Sequence, residues 1–432
     1  MKGQLRRGLV AAVALAGIVA TAAACGGSGS SSNQAKAGGK TELVVKTFGD
    51  FGYKDLYKQY EASHPNVTIK EENIAQLGDY LPKLQQWMAT GSGAGDVVAL
   101  EEGILVQFMA KPANFVNLLD HGAGSLQDKF LEWKWKQALT PDGKTLVGLG
   151  TDVGAQGMCY RRDLFEKAGL PTDREEVSKL WPTWDAYIET GKKFVAASKE
   201  AKFFDSAGNI FQNVLIQQGD HTYFDTSNKL VIDTNPAVKS AWDITTRMVA
   251  AGLSAKLQMW GPQWNAGFKQ GSFATIACPA WMLGLIKEQA GDGLAGKWDV
   301  AKVPGSGAVR GGSFLAVPAQ SKHQKEAAEL VKFLTSPEGQ LGAFKAANNF
   351  PSSPQAIDDP AVQGFSNAFF NNAPVGKIFG ESAKSLKPIY LGPDNQVVQD
   401  RVGDALLALE QGKLDAGAAW TKALDDAKRA AK

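Results

Sequence analysis

The sequence predicts a mixed α/β protein of at least two lobes, and three observations carry that expectation. Short apolar runs alternate with helical stretches from residue 41 onward, a pattern that implies a parallel sheet covered by helices. The chain has 432 residues, enough for two or three packed domains. Hydrophobic residues make up 44% and charged residues 21%, a balance that excludes a disordered chain.

Taken in order, residues 1–24 read as a signal peptide. Lys2, Arg6 and Arg7 form a positive start, Leu9 to Ala20 an apolar run, and small residues lead into Cys25. The apolar run is too short for a permanent membrane helix, and no later stretch offers the ~20 apolar residues that one needs. Ala22-Ala23-Ala24-Cys25 resembles a bacterial lipobox, with Ala in place of the usual Leu three positions before the cysteine, so Cys25 is the expected lipidation site. Residues 25–40, rich in Gly and Ser, read as a flexible tether.

Thr41 to Phe48 (TELVVKTF) reads as a buried first strand. Lys54 to Ser63 follows as a helix that His64-Pro65 ends. Val67 to Glu71 is a second strand, Asp79 to Thr90 a helix, and Val97 to Leu100 a third strand after a glycine-rich turn. Asn235-Pro236 caps a helix over residues 237–251, and Ser336-Pro337-Glu338 starts another over 339–347. Thr275 to Ala277 and Phe314 to Val317 are short strands between them.

Charge excludes one large class of function. The formal +2 rests on the N-terminal segment, since its removal leaves 43 basic residues against 44 acidic ones. With no basic run, a nucleic-acid partner is not expected. Beyond Cys25 there remain Cys159 and Cys278, which in an exported chain suit either a disulfide or two buried thiols acting as small apolar groups. No Cys-x-x-Cys or His-rich spacing points to a metal.

Catalytic motifs are equally scarce. Gly291 to Gly296 matches GxGxxG, but the preceding residues are helical and Trp298 stands where a phosphate loop needs Ser or Thr, so the stretch reads as a surface loop. There is no GxSxG or HExxH, and His64, His121, His221 and His323 are scattered. A carboxylate pair for glycoside hydrolysis is a spatial feature that sequence does not exclude. Glu101-Glu102 and Asp152 are the best-placed acids, at strand ends where α/β sheets bind ligands.

The positive signal is aromatic. Eleven Trp are present, and Trp181, Trp184, Trp260, Trp264 and Trp281 sit near Gly, Pro or Asn. An aromatic face packs on the C–H face of a sugar while polar neighbours take its hydroxyls. Trp133, Trp135, Trp242 and Trp420 read instead as packing residues.

Three blocks carry a family resemblance. Gly271-Ser-Phe-Ala-Thr-Ile-Ala-Cys-Pro-Ala-Trp281 resembles the stretch that ends in a sugar-stacking Trp in carbohydrate-binding proteins of ABC importers. Met158 to Pro171 is similar to that family's YYNKDLFEKAGLP block. Gly311 to Pro318, followed by Ala327 to Gly339, resembles its hinge strand and helix. Pro279 in place of a commoner Gly, Cys278 before it, and Cys159 in place of a commoner Tyr are departures. Residues 150–154, 163–184 and 370–376 are most similar to actinobacterial binding proteins for cello-oligosaccharides; chito-oligosaccharide, maltodextrin and xylo-oligosaccharide binders are the alternatives.

The resemblance implies a two-lobed periplasmic-binding-protein fold with three hinge crossings, near 151–153, 311–314 and 350–353. Residues 41–150 and 314–349 would form lobe I, and 154–310 and 354–432 lobe II. It implies a lipid-anchored monomer at the extracellular face of the cytoplasmic membrane that needs no cofactor, catalyses nothing, and hands an oligosaccharide to a permease. The expected ligand contacts are Phe51, Gln76 and Glu101 from lobe I, Trp281, Trp260 and Trp264 from lobe II, Asp152 and Ser313 at the crossings, and Tyr390. A lipid-anchored glycosidase and an adhesive surface lipoprotein are the rival readings.

Overall fold

In the computed structural model, residues 40–305, 307, 309–384 and 389–431 are described. The signal segment, the lipidation site Cys25 and most of the expected tether therefore lie outside the described residues. Among the described residues, nine strands form two sheets: β1 (Thr41–Phe48), β2 (Val67–Ile74), β3 (Val97–Glu101), β4 (Leu149–Gly150), β5 (Gln156–Arg161), β6 (Lys202–Phe204), β7 (Phe273–Pro279), β8 (Trp298–Ala301) and β9 (Ser313–Ala316). One sheet has the order β2-β1-β3-β9-β4, the other β6-β7-β5-β8.

The first strands form as the pattern predicts. In β1, Leu43 and Val45 alternate with more exposed neighbours, and the strand runs parallel to both β2 and β3. Strand β2 extends three residues beyond the expected end, through Glu72, Asn73 and Ile74. As an edge strand it tolerates polar residues, and Lys46 and Thr47 of β1 meet Glu72 and Glu71 at 2.5 and 2.8 Å. Helices α1 (Lys54–Ser63) and α2 (Leu77–Thr90) follow, and Gly91 closes α2 in the left-handed conformation.

The expected parallel sheet holds for β1, β2 and β3, whereas the later strands depart from it. Strand β9 runs antiparallel to β3 and β4, and β5 antiparallel to β7 and β8; in the second sheet only β6 and β7 pair in parallel. Long excursions through several helices separate β3 from β9 and β5 from β7, so these partners lie far apart in the chain.

Two bodies of core result. One gathers residues 43–149 with 314–343; the rest of the core draws on residues 153–309 together with the C-terminal part of the chain. Trp181 and Trp184 belong to the second body. Both are buried, with their indole N–H groups given to Lys302 O at 2.8 Å and Gln217 Oε1 at 2.7 Å, so they are packing residues rather than sugar contacts. A disulfide joins Cys159 on β5 to Cys278 on β7, and both residues are fully buried.

The chain passes between the two bodies in segments bonded to one another. Thr151 N–H donates to Ser313 O at 2.8 Å, Val153 N–H to Phe350 O at 2.8 Å, and Gly154 N–H to Gly311 O at 3.1 Å. Gly154 is required here, because a Cβ at that position would lie 1.8 Å from the carbonyl oxygen of Arg310.

Candidate functional site

Between the two bodies lies a cleft of about 1630 Å³, lined from both sides. Its floor is made by strand ends. Glu101 ends β3 and caps α3 (Glu102–Met109), accepting the Gly103 N–H at 2.6 Å, and it pairs in register with Ser313 at the start of β9. Asp152 is buried, and its Oδ1 accepts Ser313 N–H at 2.9 Å and the Thr151 hydroxyl at 2.6 Å.

Behind this floor stands Lys134, fully buried on α4 (Glu132–Gln137). Its Nζ lies 4.0 Å over the Phe314 ring and makes no hydrogen bond to a described residue. Burial holds its pKa below the ordinary lysine value, against the pull of Glu102, Asp152 and Glu101. Burial likewise raises the carboxyl pKa of Glu102 and of Asp152. Glu101 is pushed up to about 8, by burial first and then by the neighbouring Glu102. Near neutral pH Glu101 is thus chiefly a neutral acid that can donate to a ligand hydroxyl as well as accept from one.

The opposite wall is aromatic. Trp281 follows β7, and its indole Nε1 donates to Arg310 O at 3.3 Å. Trp260 faces it with ring planes 18° apart and centroids 6.2 Å apart. Trp260 has a backbone φ of 68°, left-handed and costly for so bulky a residue, and it is 40% exposed. Strain and exposure thus fall together on one cleft-lining indole.

Seven of the nine expected contact residues line this cleft: Phe51, Gln76, Glu101, Asp152, Ser313, Trp260 and Trp281. Phe51 is mostly buried against Phe48 and Tyr53, whereas Gln76 is exposed. Trp264, expected as a further wall, is wholly buried. It gives its N–H to the buried Asp205 at 2.7 Å and supports Trp260 from behind at 5.2 Å. Its place inside helix Pro262–Gln270 turns it inward. Tyr390, also expected, lies outside the cleft in a neighbouring recess.

Sequence reasoning missed Arg310, Gln212, Met259 and Asn395, all of which line the cleft. Arg310 is held by the side-chain oxygens of Asn209 and Gln212, and burial lowers its pKa to about 10. Its one signal in the sequence is a charged residue directly before Gly311-Gly312. No group of side chains suited to a metal ion occurs among the described residues, and no described helix is long and apolar enough to cross a membrane.

A cleft between two α/β lobes, walled by parallel indoles and floored by carboxyls at strand ends, is the arrangement of a protein that encloses a solute. Residues 55–369 match the family described as bacterial extracellular solute-binding protein, and the chain belongs to that family. A crystal structure of an extracellular solute-binding protein of family 1 shares 42% identity and a TM-score of 0.82, over 91% of this chain and all of that one. An ABC-transporter-associated binding protein of B. animalis subsp. lactis in complex with β-1,6-galactobiose shares the fold, with 22% identity, a TM-score of 0.77, and 90% and 98% of the two chains covered. The lactose-binding protein of Rhizobium radiobacter is 28% identical over 58% of this chain and 57% of its own length. The arabinooligosaccharide-binding protein of Bacillus subtilis is 24% identical over 85% and 87%. The chain thus has the two-lobed periplasmic-binding-protein fold.

Proposed function

We propose that this chain is the oligosaccharide-capturing component of an ABC importer, with cello-oligosaccharides as the first choice of ligand. The observation that carries the reading is the pairing, across one cleft, of the near-parallel indoles of Trp260 and Trp281 with the hydrogen-bonding floor of Glu101, Asp152 and Ser313. Indoles take the C–H faces of sugar rings, and the floor takes hydroxyls. Ligand contacts to both lobes at once favour the closed arrangement, which the membrane permease then reads. The sugar is captured without being cut. Chain segments 151–153, 311–314 and 350–353 serve as the hinges between a lobe of residues 41–150 and 314–349 and a lobe of 154–310 and 354–432. The protein acts as a monomer, held by a lipid on Cys25 at the extracellular face of the cytoplasmic membrane.

The relatives named for lactose and arabinooligosaccharides, and the structural neighbour holding galactobiose, support a di- or oligosaccharide over a monosaccharide. They also favour keeping other glycans in view. A thermal-shift screen of the protein against cello-, chito-, malto-, xylo- and galacto-oligosaccharides separates them. A ligand at ~100 times its Kd stabilises the fold by ~2.7 kcal/mol. One responding class identifies the substrate, and silence across all five overturns the carbohydrate reading. Trp281→Ala should weaken the responding sugar about tenfold, ~1.4 kcal/mol. A change of less than about twofold, ~0.4 kcal/mol, refutes the stacking role.

A further inference from the structure

One charged group behind the cleft floor has no part in holding a sugar. Lys134 is fully buried, its Nζ makes no hydrogen bond to a described residue, and it lies outside the lining of the cleft. The backbone makes room for it. A Cβ on Gly150 would come within 2.8 Å of the lysine Cγ, and one on Gly312 within 3.0 Å of its Nζ, so the side chain fills a slot that two glycines leave open. Gly150 immediately precedes the first segment that runs between the lobes, and Gly312 belongs to the second. Leu131, directly before α4, donates its N–H at 2.8 Å to Ser352 O in the third.

Three carboxyls face this one ammonium. Glu101 and Glu102 stand where β3 ends and α3 begins, Asp152 on the first segment, and all three pull on Lys134. Glu102 is tied to α4 by Gln137 Nε2 at 2.7 Å, and Asp152 to the second segment by Ser313 N–H at 2.9 Å. Further out, the buried Tyr53 faces Asp152, and Arg310 faces Glu101. The other charged side chains of α4, Glu132 and Lys136, pair with each other at 2.6 Å on its exposed side. One buried cation does not balance three buried carboxylates, so the floor retains protons, and how many it retains depends on that cation.

We propose that Lys134 is a positioning residue for ligand capture: from behind the floor, without touching the sugar, it governs the charge carried by Glu101, Glu102 and Asp152, and so ties sugar affinity to pH. The link to affinity rests on the oligosaccharide reading above, whereas the control of charge does not. A sugar covering Glu101 and Asp152 displaces water from them and so favours their protonated forms. Binding then takes up protons, and affinity falls as pH rises.

Urea unfolding midpoints from pH 5 to 9 test the control of charge. In Lys134→Met the folded floor keeps its protons to higher pH, so the stability advantage of the wild type over this variant should grow as pH rises. Glu102→Gln keeps an acceptor for Gln137 and removes one acid, so the advantage over this variant should shrink as pH rises. It decides if Lys134→Met does not fold. A difference that stays constant with pH for either variant overturns the proposal. Titration with cellotetraose tests the link to affinity. Wild-type affinity should fall as pH rises, and the same fall should come about one pH unit or more higher in Lys134→Met and at lower pH in Glu102→Gln. Superposed profiles, or a flat wild-type profile, overturn the link. If cellotetraose does not bind the wild type, the cello-oligosaccharide reading falls, and the unfolding midpoints alone judge Lys134.

Discussion

Replacing Gly154 by Ala tests whether the segments joining the two lobes are as tightly laced as the hydrogen bonds indicate. The new Cβ would lie 1.8 Å from Arg310 O, where a carbon–oxygen contact needs ~3.3 Å, so the two segments must part by roughly 1.5 Å. Parting them breaks the bond from Gly154 N–H to Gly311 O at 3.1 Å and that from Arg310 N–H to Gly154 O at 2.9 Å. It also pulls Arg310 O away from the indole of Trp281, now 3.3 Å distant. At ~1 kcal/mol net for each bond, the loss is about 2–3 kcal/mol. Urea unfolding measures it as a lower midpoint at unchanged slope. Sugar titration should show a parallel loss of affinity under the proposed stacking on Trp281, because the displaced carbonyl holds that indole. Gly403→Ala is the control: it lies within helix Asn395–Glu410 with nothing inside 4 Å of its Cβ, and should stabilise by about 0.5–1 kcal/mol. A Gly154→Ala protein whose midpoint equals that of the wild type would refute the close approach and the lacing built on it.

Two further outcomes are expected. Glu101 has a folded pKa of about 8 against an ordinary 4.5, so the folded state binds more protons than the unfolded one between those values, and stability falls as pH rises through that window and levels off above it. Glu101→Gln should flatten that slope, read as the difference between wild-type and variant unfolding midpoints from pH 5 to 9; parallel curves would place Glu101 in a wetter setting than the cleft floor. The Cys159–Cys278 disulfide spans 119 residues, a loop worth up to about 4–5 kcal/mol of unfolded-state entropy. The Cys159→Ala/Cys278→Ala protein should therefore unfold at a clearly lower urea concentration, and a shift under ~1 kcal/mol would mean that this loop closure contributes little.

Much of the first lobe is legible in the sequence because its signals are local. Alternating burial in Leu43 and Val45, the stop at His64-Pro65 and the turn at Gly91 each act within a few residues. Strand direction is not local. Nothing near Phe314 says that its strand returns antiparallel to β3, since that depends on a partner far away in the chain. The site divides in the same way. Strand ends and loop tryptophans pointed to Glu101, Asp152, Trp260 and Trp281, whereas the inward turn of Trp264 depends on the buried Asp205 that receives its N–H. Arg310 escaped because its role depends on Asn209 and Gln212, which only folding brings to it.

The placement of β9 beside β3 bears on how the chain is made. As the protein emerges from its N-terminus, β1, β2 and β3 can pair at once, but the inner edge of β3 waits for Ser313–Ala316, after the whole of the second sheet has been synthesised. Until then the residues of β3, wholly buried from Val97 to Leu100 in the finished fold, border an open edge. Neither lobe closes as its first strands are made: the first waits for β9, and the second for the C-terminal residues of its own core. During that interval the unpaired edge of β3 is open to wrong pairing.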